Sequence, residues 1–285
     1  MKVSVVIPAL NEGQVIGSTV ARIRSLYPDY EIVVVDDGST DNTVRAAEEN
    51  GARVVSHPYN IGNGAAVKTG IRNASGDLLV LMDGDGQHDP ADIPRLLAEA
   101  KKYDLVIGAR KGESQATVWR RMANWCYNKL ASYVANFKIP DLTSGFRVFH
   151  RRIVLKYLAL FPNTFSYPTT STLAYLRSGQ TVGFVPIQAR KRVGKSKIKL
   201  IRDGYRFLLI IIRIATLFSP LKIFLPVSLF FFLTGLGYYG YTFFTRHSFT
   251  NMSGLLLSVG VMVFLLGMVS EQITQSRYDR VDHFD

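Results

Sequence analysis

The sequence predicts an α/β domain with a mostly parallel sheet and helices on both its faces, then an interfacial amphipathic helix, then a two-helix transmembrane hairpin. Three observations predict it. Short, nearly continuous apolar runs alternate with helical patterns; polar and acidic residues stand at the C-terminal ends of those runs; and two long uncharged stretches close the chain.

Val3 to Ile7 is the first apolar run and Glu31 to Val35 the second, the latter ending in Asp36-Asp37. Ala52 to Ser56 adds a short strand, Asp77 to Met82 ends in Asp83-Gly84-Asp85, and Asp104 to Ile107 follows. Runs of this length suit strands buried on both faces. Helical patterns cover Glu12 to Leu26, Asn42 to Asn50, Gly64 to Asn73 and Asp92 to Lys101. Thr117 to Asn136 reads as one helix rich in aromatic residues; Ile139 to Phe149 turns and re-enters the core. Arg151 to Leu160 and Thr170 to Ser178 are two further helices, and Thr181 to Ile187 is a final strand.

The net charge of +12 is largely local: Ile187 to Lys222 holds ten Lys or Arg against the single acid Asp203. Such a tract suits nucleic acid or an anionic membrane surface. The segments that follow decide for the membrane and against nucleic acid. Arg202, Arg206 and Arg213 fall at spacings of four and seven, so Tyr205 to Phe218 is an amphipathic helix with its arginines toward the headgroups. Ile223 to Thr245 carries no charge and is long enough to cross a bilayer; Asn251 to Ser270 is a second such stretch. The excess of Lys and Arg before the first span places the N-terminal α/β domain on the cytoplasmic side of a cell membrane. Six glycines in the hairpin suit close helix approach, within the chain or between subunits of a homo-oligomer. The expected organisation is 1–188 α/β domain, 189–222 basic loop and interfacial helix, 223–270 hairpin and 271–285 cytoplasmic tail. The opening twelve residues are too strand-like for a cleaved signal. Cys126, the one cysteine, cannot form an internal disulfide and suits a reducing compartment.

Ligands of open α/β sheets bind at the C-terminal strand edge, where these acids collect. Asp83 and Asp85, one residue apart at the end of a buried strand, are the candidate ligands of one Mg²⁺ or Mn²⁺ bridging to a diphosphate. Capping accounts equally for Asp36, and it accounts for Asp41 and Asp89. Gly62-Asn63-Gly64 matches neither a Walker nor a dinucleotide pattern, and a tight turn explains it.

Pro8-Ala9-Leu10-Asn11-Glu12, Val35 to Asp41, Asn60, Gly62, Gly64, Ala65, Asp83 to His88, and Ser144-Gly145-Phe146-Arg147 together resemble the inverting family 2 glycosyltransferases. Within that family they are similar to the dolichol-phosphate mannose synthase group and its bacterial polyprenyl-phosphate relatives, over nearly the first 200 residues. The resemblance implies a GT-A type, Rossmann-like fold. It implies transfer of a hexose from a nucleotide-diphosphate sugar, with GDP-mannose and UDP-glucose ranked first, to a polyprenyl or dolichyl monophosphate.

It also implies roles. Pro8, Asn11 and Glu12 lie against base and ribose, Asp37 bonds the base or ribose, Asp83 contacts nucleotide or donor sugar, and Asp85 is the principal metal ligand. Gln87 orients the donor or the acceptor phosphate, Arg110 and Arg147 contact phosphate, and Lys197 closes over the pyrophosphate. Arg121, Lys191, Arg192 and Ser196 are the acceptor-phosphate candidates. Two departures stand out: Lys191 occupies a position that is usually arginine, and Phe165 to Thr170 lacks the acid many relatives carry. His88 is a positioning residue of its loop or an acid-base group. The alternatives are transfer to a lipid or polysaccharide hydroxyl, with Asp141 as candidate base, and a non-catalytic scaffold that binds sugar nucleotide.

Overall fold

The computed structural model describes residues 1–110, 118–163, 167–188, 216 and 218–282, with side chains omitted for 118–124 and 277–282. Seven strands form one sheet among these residues: β1 Val3–Ala9, β2 Glu31–Asp36, β3 Arg53–Ser56, β4 Leu78–Leu81, β5 Leu105–Arg110, β6 Arg147–His150 and β7 Val182–Ile187. Their order is β3-β2-β1-β4-β6-β5-β7. Every pairing is parallel except those of β6, which runs antiparallel to both β4 and β5. The predicted mostly parallel sheet is present, and β6 is the strand the apolar pattern does not separate from its loop.

Helices cover both faces. Helix α1 (Ile16–Leu26), α2 (Thr43–Glu49) and α4 (Ile93–Glu99) bury Ile16, Val20, Ile23, Ala47, Ile93 and Leu96 against one face, with Val5, Ile7, Ile32, Val34, Val80 and Val148. Helix α3 (Asn63–Asn73) takes the other, where a Cβ on Gly70 would overlap Val6 and come within 3.2 Å of Val35. Alternation along β1 therefore sends Val5 and Ile7 one way and Val6 the other, which requires apolar residues at every position. Helices α5 (Val118–Ala135), α6 (Arg151–Tyr157) and α7 (Tyr167–Arg177) complete this unit, α7 carrying Pro168 in its first turn, where no amide is missed. Contacts group Met1–Ser132 with Phe137–Ile198, and Tyr133–Asn136 with Lys199–Asp285. The expected amphipathic helix at 205–218 lies outside the described residues, apart from Thr216 and Phe218.

In the second unit, α8 (Leu221–Arg246) and α9 (Asn251–Asp282) run antiparallel through a four-residue turn in which His247 is left-handed (φ 51°). At 26 residues, α8 spans about 39 Å, enough for a hydrocarbon core of about 30 Å. Glycines bring the helices together: a Cβ on Gly260 would sit 3.0 Å from the Phe232 nitrogen, and one on Gly235 3.0 Å from that of Leu257. The Ser228 hydroxyl donates to the Gly260 carbonyl at 2.7 Å. Glu271 accepts from the Leu221 amide at 3.3 Å, satisfying a donor of the first turn of α8. Lys222 Nζ donates to the carbonyls of Tyr133 (2.8 Å) and Val134 (3.0 Å), satisfying acceptors in the last turn of α5. Outward-facing Phe230, Tyr241 and Phe244 (82% exposed) form the apolar surface that lipid must cover. Helix α9 continues twelve residues past Ser270, so most of the expected tail is helical.

Candidate active site

The site lies at the C-terminal ends of β1, β2, β4 and β5. Because β6 is reversed, the loop that precedes it arrives at the same edge.

After β1, Asn11 is left-handed (φ 55°) and exposed. Its Oδ1 accepts from the Thr40 amide at 2.8 Å and its own amide donates to Ser39 Oγ at 2.9 Å. The Glu12 amide donates to Thr43 Oγ1 at 2.9 Å. These bonds stitch the β1 and β2 loops together, with Pro8 buried beneath them. The turn after β2 needs Gly38 (φ 78°), because a Cβ there would lie 2.7 Å from the Tyr59 carbonyl carbon. Asp36 accepts from the Ser39 amide at 3.1 Å, a local turn role.

Asp37 is 3% exposed. Its carboxylate accepts from the amides of Ile61 (3.0 Å) and Gly62 (2.8 Å) and meets His57 Nδ1 at 2.7 Å, while His57 Nε2 meets Thr69 at 2.9 Å. These bonds are to the protein's own loop, and the base or ribose contact expected of Asp37 would fall to the remaining lone pair of Oδ2. The carboxylate holds the loop into α3, whose Gly62 adopts φ 126°.

After β4, Asp83 is half-buried and Asp85 nearly buried. Asp85 accepts from the Gln87 amide at 3.1 Å, which sets the turn. His88 Nε2 lies 3.4 Å from Asp83 and its ring packs on Phe146 at 5.1 Å; its Nδ1 is buried without a partner among the described residues. Gly145 also abuts Asp83, since a Cβ there would fall 2.7 Å from the carboxylate carbon. His88 thus positions Asp83. Asp89 caps the next turn, accepting from the Ala91 amide at 3.1 Å.

No cluster of three His, Cys, Asp or Glu side chains forms a metal cage among the described residues. Two carboxylates one residue apart still fit a hard divalent ion, which prefers oxygen ligands and commonly takes one or two carboxylates plus substrate phosphates and water.

Arg110 ends β5. Its Nε and Nη2 donate to the two oxygens of Asp141 at 2.8 and 3.0 Å, and Nη2 donates to Thr143 Oγ1 at 2.7 Å. Burial alone opposes its charge, but the bonds to Asp141, with the fields of Asp83 and Asp85, raise its pKa. Burial likewise pushes the Asp141 carboxyl up, and the Arg110 guanidinium more than reverses that, holding it below the usual carboxylate range. Both Asp141 oxygens are engaged, because the amides of Arg110 and Thr143 also donate to them at 3.1 Å. A general base needs an open lone pair and a pKa near the working pH. Asp141 has neither, which corrects its candidacy as a base.

Arg147 is 0% exposed. It donates to the Ser144 and Leu142 carbonyls (2.7 and 3.0 Å) and to Ser171 and Thr172 of α7 (3.0 and 2.8 Å). Burial pushes its pKa down to about 10, so it stays charged at neutral pH. The expected phosphate contact is corrected: Arg147 has no solvent-accessible surface, and the side chain is a strut beneath the Ser144-Gly145 loop that bounds Asp83. Arg121 falls on α5 with its side chain outside the described set, and Lys191, Arg192, Ser196 and Lys197 lie outside it altogether.

A GT-A type sheet with paired carboxylates at its ligand edge, in a chain that ends in an apolar helical hairpin, defines a class: membrane-anchored glycosyl transferases that use nucleotide sugars. Comparison with known proteins agrees. The chain belongs to glycosyl transferase family 2, which residues 4–158 match, and residues 219–276 match the GtrB C-terminal hairpin. The hairpin anchors the protein in the membrane with the preceding catalytic domain facing the cytoplasm.

The chain is 31% identical over 214 residues to an undecaprenyl-phosphate mannosyltransferase of Micrococcus luteus, covering 70% of this chain and 88% of that one. It is 34% identical over 166 residues to a dodecaprenyl-phosphate galacturonate synthase of Rhizobium johnstonii, covering 54% of this chain but spanning only about half (49%) of that relative. The glucosyl-3-phosphoglycerate synthase of Mycobacterium tuberculosis, solved with Mn²⁺ and UDP-glucose, superposes with a TM-score of 0.59 at 26% identity, over 75% of this chain and 78% of that one.

Proposed function

We propose that the protein transfers a hexose from a nucleotide-diphosphate sugar, with GDP-mannose and UDP-glucose ranked first, to a polyprenyl or dolichyl monophosphate at the cytoplasmic membrane face. The observation that carries the choice of acceptor is the saturation of Asp141. A hydroxyl acceptor requires a base. A phosphate monoester, with a second pKa of about 6, is already nucleophilic near neutral pH. The names of the Micrococcus and Rhizobium relatives, both prenyl-phosphate enzymes, and the hairpin within the same chain support the reading.

The acceptor phosphate oxygen attacks the anomeric carbon as the bond to the nucleoside diphosphate breaks, in a single displacement with inversion. Pro8, Asn11 and Glu12 line the nucleotide. Asp85, with Asp83 beside it, would hold Mg²⁺ or Mn²⁺, which would supply positive charge to offset that of the departing diphosphate. Gln87 orients the phosphates, and Arg110 meets a phosphate oxygen. Lys197 over the pyrophosphate, and Arg121, Lys191, Arg192 and Ser196 around the acceptor phosphate, complete the proposed set.

The test is transfer of radiolabelled sugar from a panel of GDP- and UDP-sugars to polyprenyl phosphate by the purified protein in detergent. Labelled, mild-acid-labile lipid with one donor names the sugar. Asp85→Ala is expected to lower transfer by at least about a hundredfold (~2.7 kcal/mol). Sugar-nucleotide binding with no transfer to any lipid phosphate would sink the reading and shift weight to a hydroxyl acceptor or a scaffold.

A further inference from the structure

An arginine at the end of a strand ordinarily samples several rotamers, and ordering it costs side-chain entropy. Arg110 is not left to sample them. Of the five N–H donors of a guanidinium, Nε and Nη2 are committed to Asp141 and Thr143, in a paired geometry of 2.8, 3.0 and 2.7 Å. Nη1 has no partner among the described residues. Asp141 is itself immobilised: it is 5% exposed and accepts the backbone amides of Arg110 and Thr143, both at 3.1 Å. The Thr143 hydroxyl lies 3.3 Å from the same carboxylate. One carboxylate, one hydroxyl and two amides therefore fix a single guanidinium, close enough to Asp83 and Asp85 for their charges to act on it.

We propose that Asp141 and Thr143 are positioning residues that lock Arg110, so that its Nη1 edge, and no other, meets a phosphate oxygen in the site. The inference rests on the phosphoryl-acceptor reading above. The lock explains how one arginine can be both ion-paired and useful to a substrate. The pairing uses the Nε–Nη2 side, and the remaining edge is presented without further ordering when the ligand arrives. The same chemistry suits a phosphate of the acceptor or of the departing diphosphate, and kinetics separate the two.

The experiment is a double-mutant cycle on the full-length protein in detergent, with polyprenyl phosphate as acceptor and wild type run alongside. Asp141→Asn keeps the shape but turns an N–H donor toward a guanidinium that has only donors. It is expected to lower kcat/KM by about 10- to 100-fold. Thr143→Val, which removes one hydroxyl, is expected to lower it about threefold. In an Arg110→Ala background, each should cost less than about twofold, because the group it positions is gone. A merely structural role predicts equal losses in both backgrounds. A rise in KM for lipid phosphate assigns the locked edge to the acceptor; a rise in KM for the sugar nucleotide assigns it to the leaving diphosphate. Additive losses, or Asp141→Asn at the wild-type rate, overturn the lock and leave the transferase reading standing. Should Asp141→Asn fail to fold, Thr143→Val carries the same cycle. Wild type that transfers nothing overturns the transferase reading, and the lock falls with it.

Discussion

At the scale of single residues, the site is built from carboxylates at the sheet edge and from side chains that turn back into the protein to hold its loops. Asp83 and Asp85 follow β4 at the C-terminal edge of the sheet, where their place after an apolar run put them. Asp37 and Arg147 turn inward instead: Asp37 to the amides of Ile61 and Gly62 and the His57 ring, 20 or more residues away, and Arg147 to the nearby Ser144 and Leu142 carbonyls and to hydroxyls of α7 24 and 25 positions on, partners that no local pattern encodes. Arg147→Ala should strip partners from the Ser144 and Leu142 carbonyls and open a cavity, costing about 3 kcal/mol or more. Thermal unfolding in detergent measures this, and an unchanged melting temperature with lost transfer would return Arg147 to the phosphate site. The pH profile separates enzyme from substrate. Asp141 is depressed in the folded state, so its stabilisation is present above its unfolded pKa of about 3.9 and is lost only as pH falls through the still lower folded value. The Arg110 pair thus persists through pH 5 to 8. An acid limb in kcat/KM is expected near pH 6, from the lipid phosphate, and it should stay in place in Thr143→Val.

At the scale of elements, the parallel strands announced themselves through unbroken apolar runs, and the helices through their periodicity. β6 did not, because its four residues, Arg147–His150, include only Val148 and Phe149 as apolar side chains and their partners in β4 and β5 lie about 40 to 70 positions away. Its reversed direction is what delivers Gly145 against Asp83. Gly145→Ala should therefore push the Asp83 carboxylate aside while leaving the sheet intact. We expect loss of metal-dependent nucleotide binding, by about tenfold or more, with little change in secondary structure. Calorimetric titration with nucleoside diphosphate and Mn²⁺ decides it, and undiminished affinity would mean that the loop yields instead of the carboxylate. The extension of α9 beyond Ser270 escaped the hydropathy reading because charge begins at Glu271 while helix propensity continues.

For the whole molecule, the uncharged stretches marked off the hairpin from the catalytic part, and Phe230, Tyr241 and Phe244 face outward along it. A cysteine placed at Ser248, in the turn between α8 and α9, should react with an impermeant maleimide added to intact cells. Cys126, the native and exposed cysteine, should react only after permeabilisation. The reverse pattern would invert the topology. The mixed sheet has a different consequence, for exchange between relatives. Its order divides at the β4–β6 boundary into a block that carries the loops after β1, β2 and β4, proposed above to meet the nucleotide (β3-β2-β1-β4), and a block that carries Arg110, Asp141 and the loop before β6 (β6-β5-β7). The second block is continuous in sequence from Leu105 to Ile187. Two halves that meet along one seam can diverge separately: a chimera that imports residues 105–187 from a relative should keep the nucleotide preference of its host and take on the acceptor preference of its guest. Donor and acceptor panels run on such a chimera would show whether recombination along that seam is a route by which new pairings of sugar and carrier arise.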